Sequence, residues 1–516
     1  MDQFAKLALE EYNGDERTVR RAGSGKPFWN VNSSQFMFVP QLEFPEIPGA
    51  RAYLFTATDA EGTVHTFEAD TPIAPLTPIW RDIPEGFVSL RVEALHIRGE
   101  RILAGARTFW KSAPFPGRAD LPPRARSYRE CARLAFGYLF RDPATQYWLE
   151  HGVPDPSYFG NVYPSKMISS IVNAMVAYAR IEPDRAAEAL RLATRAADYL
   201  LSITYPEGAP LAGLPPTYSF RGLDRENVNR NAVAAEGREF TLMTIYPASV
   251  GSAYLKLAEA TGDERYFLAA KTIAEYYAAS VLPNGSWYLL LDVKTGEPIG
   301  ENCCQHFGIL NFLKEYASYT GEARFGELSD RYFAYISSCW LDNYNWEGQF
   351  EDVKLTSNYH NLTHLTADSM ISYIAKNEAA DPTRLAIAEE LMRYVEDQFV
   401  VWGRHATWNR SLSPGGTFHS PAALEQYEWY VPIDGSTCAV ARAFTDLYKA
   451  TGNPLYFEKA CALADAVTRM QHPESGVIPT HWMTEDPAKD LYNFWINCHI
   501  GSAFAMLYLA DMVGED

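Results

Sequence analysis

The run Asn345-Trp346-Glu347-Gly348-Gln349-Phe350-Glu351-Asp352, followed by Asn358-Tyr359-His360-Asn361 and His364, is the densest concentration of proton-moving groups in the chain. Two chemistries fit it. Hydrolysis of a glycosidic bond needs one protonated and one ionised carboxyl, and their separation sets the stereochemical outcome. Glu347, Glu351 and Asp352 can supply one or both, with Asp292, Glu301 or Asp434 as partners from other segments. Elimination or epimerisation at a uronate needs a base for the C5 proton, a group that neutralises the carboxylate, and an acid for the leaving oxygen. Tyr359 and His360 suit the proton transfers. Arg221 and Arg225, in a long segment that also holds Arg230 and Arg238, suit the carboxylate through the planar guanidinium fork.

Binding residues are expected nearby. Aromatic rings stack on the C–H faces of a sugar while His, Asn, Arg and carboxylates bond its hydroxyls. Tyr246, Trp287, Trp346, Trp429 and Trp495 supply rings, and Glu301, His306, His364, His405, Asp434, His481 and His499 supply polar partners. Glu301-Asn302-Cys303-Cys304-Gln305-His306 gathers zinc-ligand types. Cysteines beside a helix start are more simply small apolar packing residues. Asp224-Arg225-Glu226-Asn227 lacks the full ligand order of a calcium loop. No metal and no cofactor is required.

The elements that position these residues follow from periodicity. Apolar residues recur at helical spacing over 128–140, 165–180, 184–203, 247–261, 264–281, 302–319, 323–340, 362–377, 382–400, 434–451, 454–470 and 495–512. Tight turns such as Thr261-Gly262-Asp263, Thr320-Gly321-Glu322 and Thr451-Gly452-Asn453 alternate with long segments at 141–164, 204–246, 282–301, 341–361, 401–433 and 471–494. Glycine suits those turns because it closes a helix in the left-handed conformation. Six hairpins joined this way over 128–516 resemble the six-hairpin, or (α/α)6, toroid of carbohydrate-active enzymes. The resemblance implies an inner ring of helices entered from the long segments, which must all gather on one face. His151, His306, His360, His405, His419, His472 and His481 fall in those segments or at their ends. Toroidal polysaccharide lyases and some uronate epimerases are similar in using Tyr, His and Arg. Toroidal β-L-arabinofuranosidases look similar in pairing a Glu with cysteines around zinc, but Cys438 and Cys498 fall inside later helices rather than in a loop.

Residues 1–115 differ. Short alternating runs such as Ala52–Thr56, Thr63–Phe67 and Val88–Val92, bounded by Pro and Gly, predict an antiparallel β-sandwich. Pro48-Gly49-Ala50, Trp80 and Gly86–Ala94 resemble a fibronectin III or Ig-like module. A Pro-rich linker, 116–127, follows. The net charge of −19 disfavours nucleic-acid or anionic-membrane partners. No apolar run reaches the ~18 residues that cross a bilayer, and an acidic, amphipathic start together with an odd cysteine count reads as cytoplasmic. The expectation is a mainly α chain, with a small sandwich ahead of the toroid, acting on an oligosaccharide or polysaccharide chain end. Exo-acting hydrolysis ranks first and a lyase or uronate epimerase second. A non-catalytic glycan-binding protein would keep the aromatics without the acid–base set.

Overall fold

A computed structural model describes residues 2–13, 32–223, 238–341, 346–351, 362–403, 419–427, 430–484 and 494–515. Fifteen α-helices and eleven short strands occur among the described residues. None of these helices is long and apolar enough to cross a membrane.

After a first helix, α1 (Gln3–Tyr12), come β1 (Gln35–Phe36), β2 (Gln41–Glu43), β3 (Ala50–Thr58), β4 (Val64–Ala69), β5 (Ile73–Pro75), a single turn α2 (Thr77–Trp80), β6 (Gly86–His96) and β7 (Arg101–Lys111). Five strands form one sheet in the order β1-β7-β6-β3-β4, antiparallel except where β1 runs parallel to β7. The alternation along β3 and β6 buries every second side chain, as one covered face requires. Phe55, Val88, Leu90 and Phe109 on that face pack under Leu42, Leu76 and Trp80 from the β2–β5 ribbon and α2.

The remaining helices build a ring. Its outer layer is α3 (Tyr128–Arg141), α6 (Ala186–Ile203), α8 (Glu264–Ser280), α10 (Ala323–Trp340), α12 (Pro382–Phe399) and α14 (Pro454–Met470). Its inner layer is α5 (Pro164–Ile181), α7 (Pro247–Thr261), α9 (Phe307–Thr320), α11 (Leu365–Asn377), α13 (Asp434–Thr451) and α15 (Ile496–Met512). One extra helix, α4 (Pro143–His151), occupies the first long connection. Neighbouring inner helices pack on each other around the ring, with Phe307 of α9 against Tyr373 of α11 and α15 back against α5. Gly262, Gly321 and Gly452 close α7, α9 and α13 with φ of 71°, 75° and 70°, the left-handed cap expected of each tight turn.

Two departures from the sequence reading have physical reasons. Residues 302–306 are extended, because Tyr288 pairs with Cys303 before the helix begins at Phe307. Among the described residues five inner–outer pairs are sequential hairpins; the sixth joins α15 to α3, which lies ahead of the first hairpin.

The long connections gather on one face because they are laced together. β8 (Thr241–Met243) pairs with β9 (Leu290–Asp292) from the next connection, while β10 (Val400–Val401) and β11 (Ala422–Ala423) pair within a single one. Single bridges join Thr363 to Gln426 and Ile433 to His481. Tyr158 Oη donates to the Phe494 carbonyl and accepts from the Ile496 N–H, at 3.3 and 3.1 Å, tying the first connection to the last.

Candidate functional site

A cavity of about 920 Å³ opens on that face, inside the inner ring. Its wall is written in the inner helices as a polar stripe on otherwise apolar segments. Lys166, Ser169, Ser170 and Asn173 of α5 follow one another at i, i+3, i+4 and i+7, and Gly308, Asn311 and Glu315 of α9 at i, i+3 and i+7. Such spacing keeps each set on one helix face. At 1.5 Å per residue, Gly308 to Glu315 spans about 10 Å, so the cavity runs well down the ring axis. The inner helices all begin at its mouth, and their N-terminal N–H groups give it positive potential.

One buried carboxylate organises the near wall. Glu351 is fully buried. One of its oxygens accepts from Lys166 Nζ and the other from Tyr246 Oη, while the Glu351 N–H donates to Tyr246 Oη at 3.3 Å. Tyr218 Oη and the Arg238 guanidinium donate to the Glu351 carbonyl at 2.9 and 2.6 Å. Lys166 and Tyr246 themselves line the cavity, and Lys166 also lies 5.3 Å from the Trp495 ring centroid. Glu351 thus holds an ammonium and a phenol in place from behind.

His306 caps α9 beside them. Its Nδ1 accepts from the Gly308 N–H at 3.0 Å, so the neutral ring carries its proton on Nε2. The side chain opens into the cavity but is crowded by protein, and this loss of hydration pushes its pKa down to about 4. Lys166 adds to that effect and Glu351 opposes it. A histidine that stays neutral at pH 7 acts as an uncharged hydrogen-bond donor, suited to a carbonyl or hydroxyl oxygen.

The other residues singled out from sequence separate into groups. Tyr246, His306, His481 and Trp495 line the cavity. Asp352, Tyr359, His360, His405, Trp429 and Arg225 lie outside the described residues. Arg221 lines a separate cavity of about 330 Å³ with Asp198 and Tyr199, and His151 stacks on Tyr147 at the exposed end of α4. Glu301 is exposed, and Glu347 donates its N–H to Gln305 Oε1 at 3.3 Å; neither lines the cavity. Asp292 closes a turn by accepting from Lys294 and Thr295 N–H groups.

Several are core residues instead. Trp287 and Trp346 are each 1% exposed, their indole N–H groups bonded to the carbonyls of Tyr277 and Thr363 at 2.9 and 3.1 Å. Long connections need hydrophobic anchors of their own, and tryptophan supplies large area plus one donor. His364 is buried with Nδ1 2.7 Å from Asp368, and His499 sits between the Ala135 carbonyl and the Ile478 N–H. Asp434 is buried behind the wall that Gly435 and Ser436 form; it accepts from Ser502 at 2.9 Å, and burial holds its carboxyl well above the usual range. Cys304 is fully buried, with its thiol pushed up by burial, as a packing residue would be. Sequence reasoning passed over Lys166, Asn173, Asn311, Glu315, Glu425 and Ser436, all in the cavity wall. For those on α5 and α9 the signal is the polar stripe along the helix face, whereas Glu425 lies in the connection ahead of α13 and has no such periodicity.

Geometrically the chain is an (α/α)6 toroid, mainly α, with a small β-structure ahead of it. No family model and no curated protein matches the sequence. Among solved structures it is similar to D-mannose isomerase, with a TM-score of 0.51 at 12% identity over 75% of this chain and 97% of that one. It is similar in the same way to cellobiose 2-epimerase from Spirochaeta thermophila, with a TM-score of 0.50 at 12% identity over 75% of this chain and 98% of that one. A family 76 glycoside hydrolase from a bovine Bacteroides thetaiotaomicron strain spans more, 91% of this chain and 94% of its own, at a looser TM-score of 0.44 and 12% identity. At these identities the likeness is one of fold.

Proposed function

We propose that the chain is a carbohydrate-active enzyme whose ring cavity binds a sugar and moves a proton on it, in the manner of an epimerase or isomerase. The observation that carries this reading is the Lys166–Glu351–Tyr246 cluster beside a neutral His306. Removing a proton next to a carbonyl develops negative charge on oxygen. An ammonium, a phenol, a neutral imidazole donor and helix N-termini are the groups that stabilise such charge. His481 or Glu425, both in the wall, then serves as the base. Serine hydroxyls and asparagine amides around one indole ring suit a sugar, which presents hydroxyls at its edge and C–H groups on its face. The fold neighbours named for isomerisation and epimerisation of sugars carry out reactions of the same class.

Exo-acting hydrolysis is the second reading. Two carboxylates, Glu315 and Glu425, do face the cavity among the described residues, and paired carboxyls are its requirement. The test is incubation with a panel of mono-, di- and uronate-containing oligosaccharides in heavy water. Deuterium entering the sugar without new reducing ends supports proton transfer, and its loss in Glu351→Gln ties it to the cluster. New reducing ends without deuterium would establish hydrolysis, unsaturated uronates elimination, and binding without turnover a glycan-binding protein.

The same reading divides the chain into residues 1–115, a linker at 116–127 and a catalytic toroid at 128–516. Strand order β1-β7-β6-β3-β4, with β2-β5 covering its inner face, supports a fibronectin III or Ig-like assignment for the first part.

A further inference from the structure

Gly501 is a residue without a packing reason. It lies inside α15, where glycine weakens a helix relative to alanine. A Cβ placed there meets nothing within 4 Å, whereas one at Gly251 of α7 runs into the Phe312 ring at 2.4 Å. Close packing therefore accounts for Gly251 and not for Gly501, whose open side is the cavity.

The groups around it are polar and incompletely satisfied. Ser436 is fully buried, and its Oγ has no hydrogen-bond partner in the protein. Asn497 Oδ1 and Asn173 Oδ1 also lack one, and all three residues line the same cavity. Buried polar atoms left unpaired by protein are positions for water or ligand. Ring order sets α13 and α15 across from α7 and α9, so this wall faces Tyr246 and His306, and α5, which carries both Lys166 and Asn173, joins the two sides. The cavity, about 920 Å³, also lies near the top of the about 300–1,000 Å³ range of small-molecule sites, roomy for one sugar.

We propose that the α13–α15 wall is a second sugar subsite and that the substrate carries at least two sugar units. The inference rests on the reading of the cavity as a sugar site. The unit beyond the reacting sugar lies over Gly501, in the room a side chain would take, and its hydroxyls bond Ser436, Asn497 and Asn173.

The experiment compares 1,4-linked disaccharides with their parent monosaccharides, on the full chain and on Gly501→Ala and Ser436→Ala. Gly501→Ala should raise the melting temperature of the unliganded protein, because alanine is the better helix former. It should also lower kcat/KM for the disaccharide at least tenfold more than for the monosaccharide. Ser436→Ala should shift the same ratio in the same direction. An unchanged ratio in both variants overturns the subsite. If the unaltered chain turns over none of these sugars, the proposed activity fails, and calorimetric binding decides the subsite alone. Tighter binding of the disaccharide, lost in Gly501→Ala, supports it; equal binding of both sugars overturns it.

Discussion

His306 makes the sharpest single-residue test. Its ring is pushed down to about 4, so it stays neutral from about pH 5 upward and contributes no inflection to activity between pH 5 and 8. Any acidic limb in that window belongs to another group and should keep its midpoint in His306→Gln. Glutamine retains an N–H donor, whereas His306→Ala removes it. Loss of an oxyanion donor typically costs about 10²–10³ in turnover, so alanine should fall in that range and glutamine well short of it. Equal defects measured for the two would argue against a donor role. At this scale the sequence was only partly legible. Glu351 was singled out as a carboxylate, but nothing in its neighbours announces that Lys166 and Tyr246 reach it across 185 and 105 residues. His364 and His499 have the composition of site residues, and only burial distinguishes them.

Helices read more clearly than residues. The spans 247–261, 323–340, 434–451 and 454–470 stand as expected from periodicity and glycine or proline punctuation. The start of α9 was not legible, because the bridge from Cys303 to Tyr288 outweighs local propensity. Contacts between elements were equally hidden, and two of them lend themselves to testing. Asp397 of α12 accepts from the Met37 and Phe38 N–H groups at 2.8 and 2.7 Å, latching the β-structure to the ring. Burial raises its carboxyl to about 7 against the pull of those two donors. A raised pKa favours folding below the unfolded value, and that contribution is lost as pH rises through about 7. The melting temperature should therefore drop from pH 6 to 8, and less so in Asp397→Asn. Lys459 of α14, 1% exposed, bridges Glu396 at 2.8 Å and Glu11 of α1 at 3.2 Å. Lys459→Ala leaves Glu396 buried without its cation, a loss of about 3–5 kcal/mol by chemical denaturation.

At the scale of the molecule, Met37, Phe38 and Phe115 belong to the hydrophobic core of the ring, not to that of the sheet. Deleting residues 1–115 should lower the melting temperature and promote aggregation; an unchanged melting curve would mean the β-structure is a loose attachment. The ring's own seam has a consequence for how the protein is made. α3 is sealed by α15, with Phe136 against Phe504 at 5.2 Å and Arg129 bonded to Asp511 and to the Glu515 backbone carbonyl, at 2.7 and 2.9 Å. Synthesis runs from the amino end, so α3 leaves the ribosome long before its partner exists. Its apolar flank, Ala132, Phe136 and Leu139, then faces water or a chaperone for most of translation. Within the ring, the wall that carries Gly501 is also the last to be synthesised. A nascent chain halted before residue 496 thus holds five staves of a cask, and the sixth both shuts the seam and finishes the chamber.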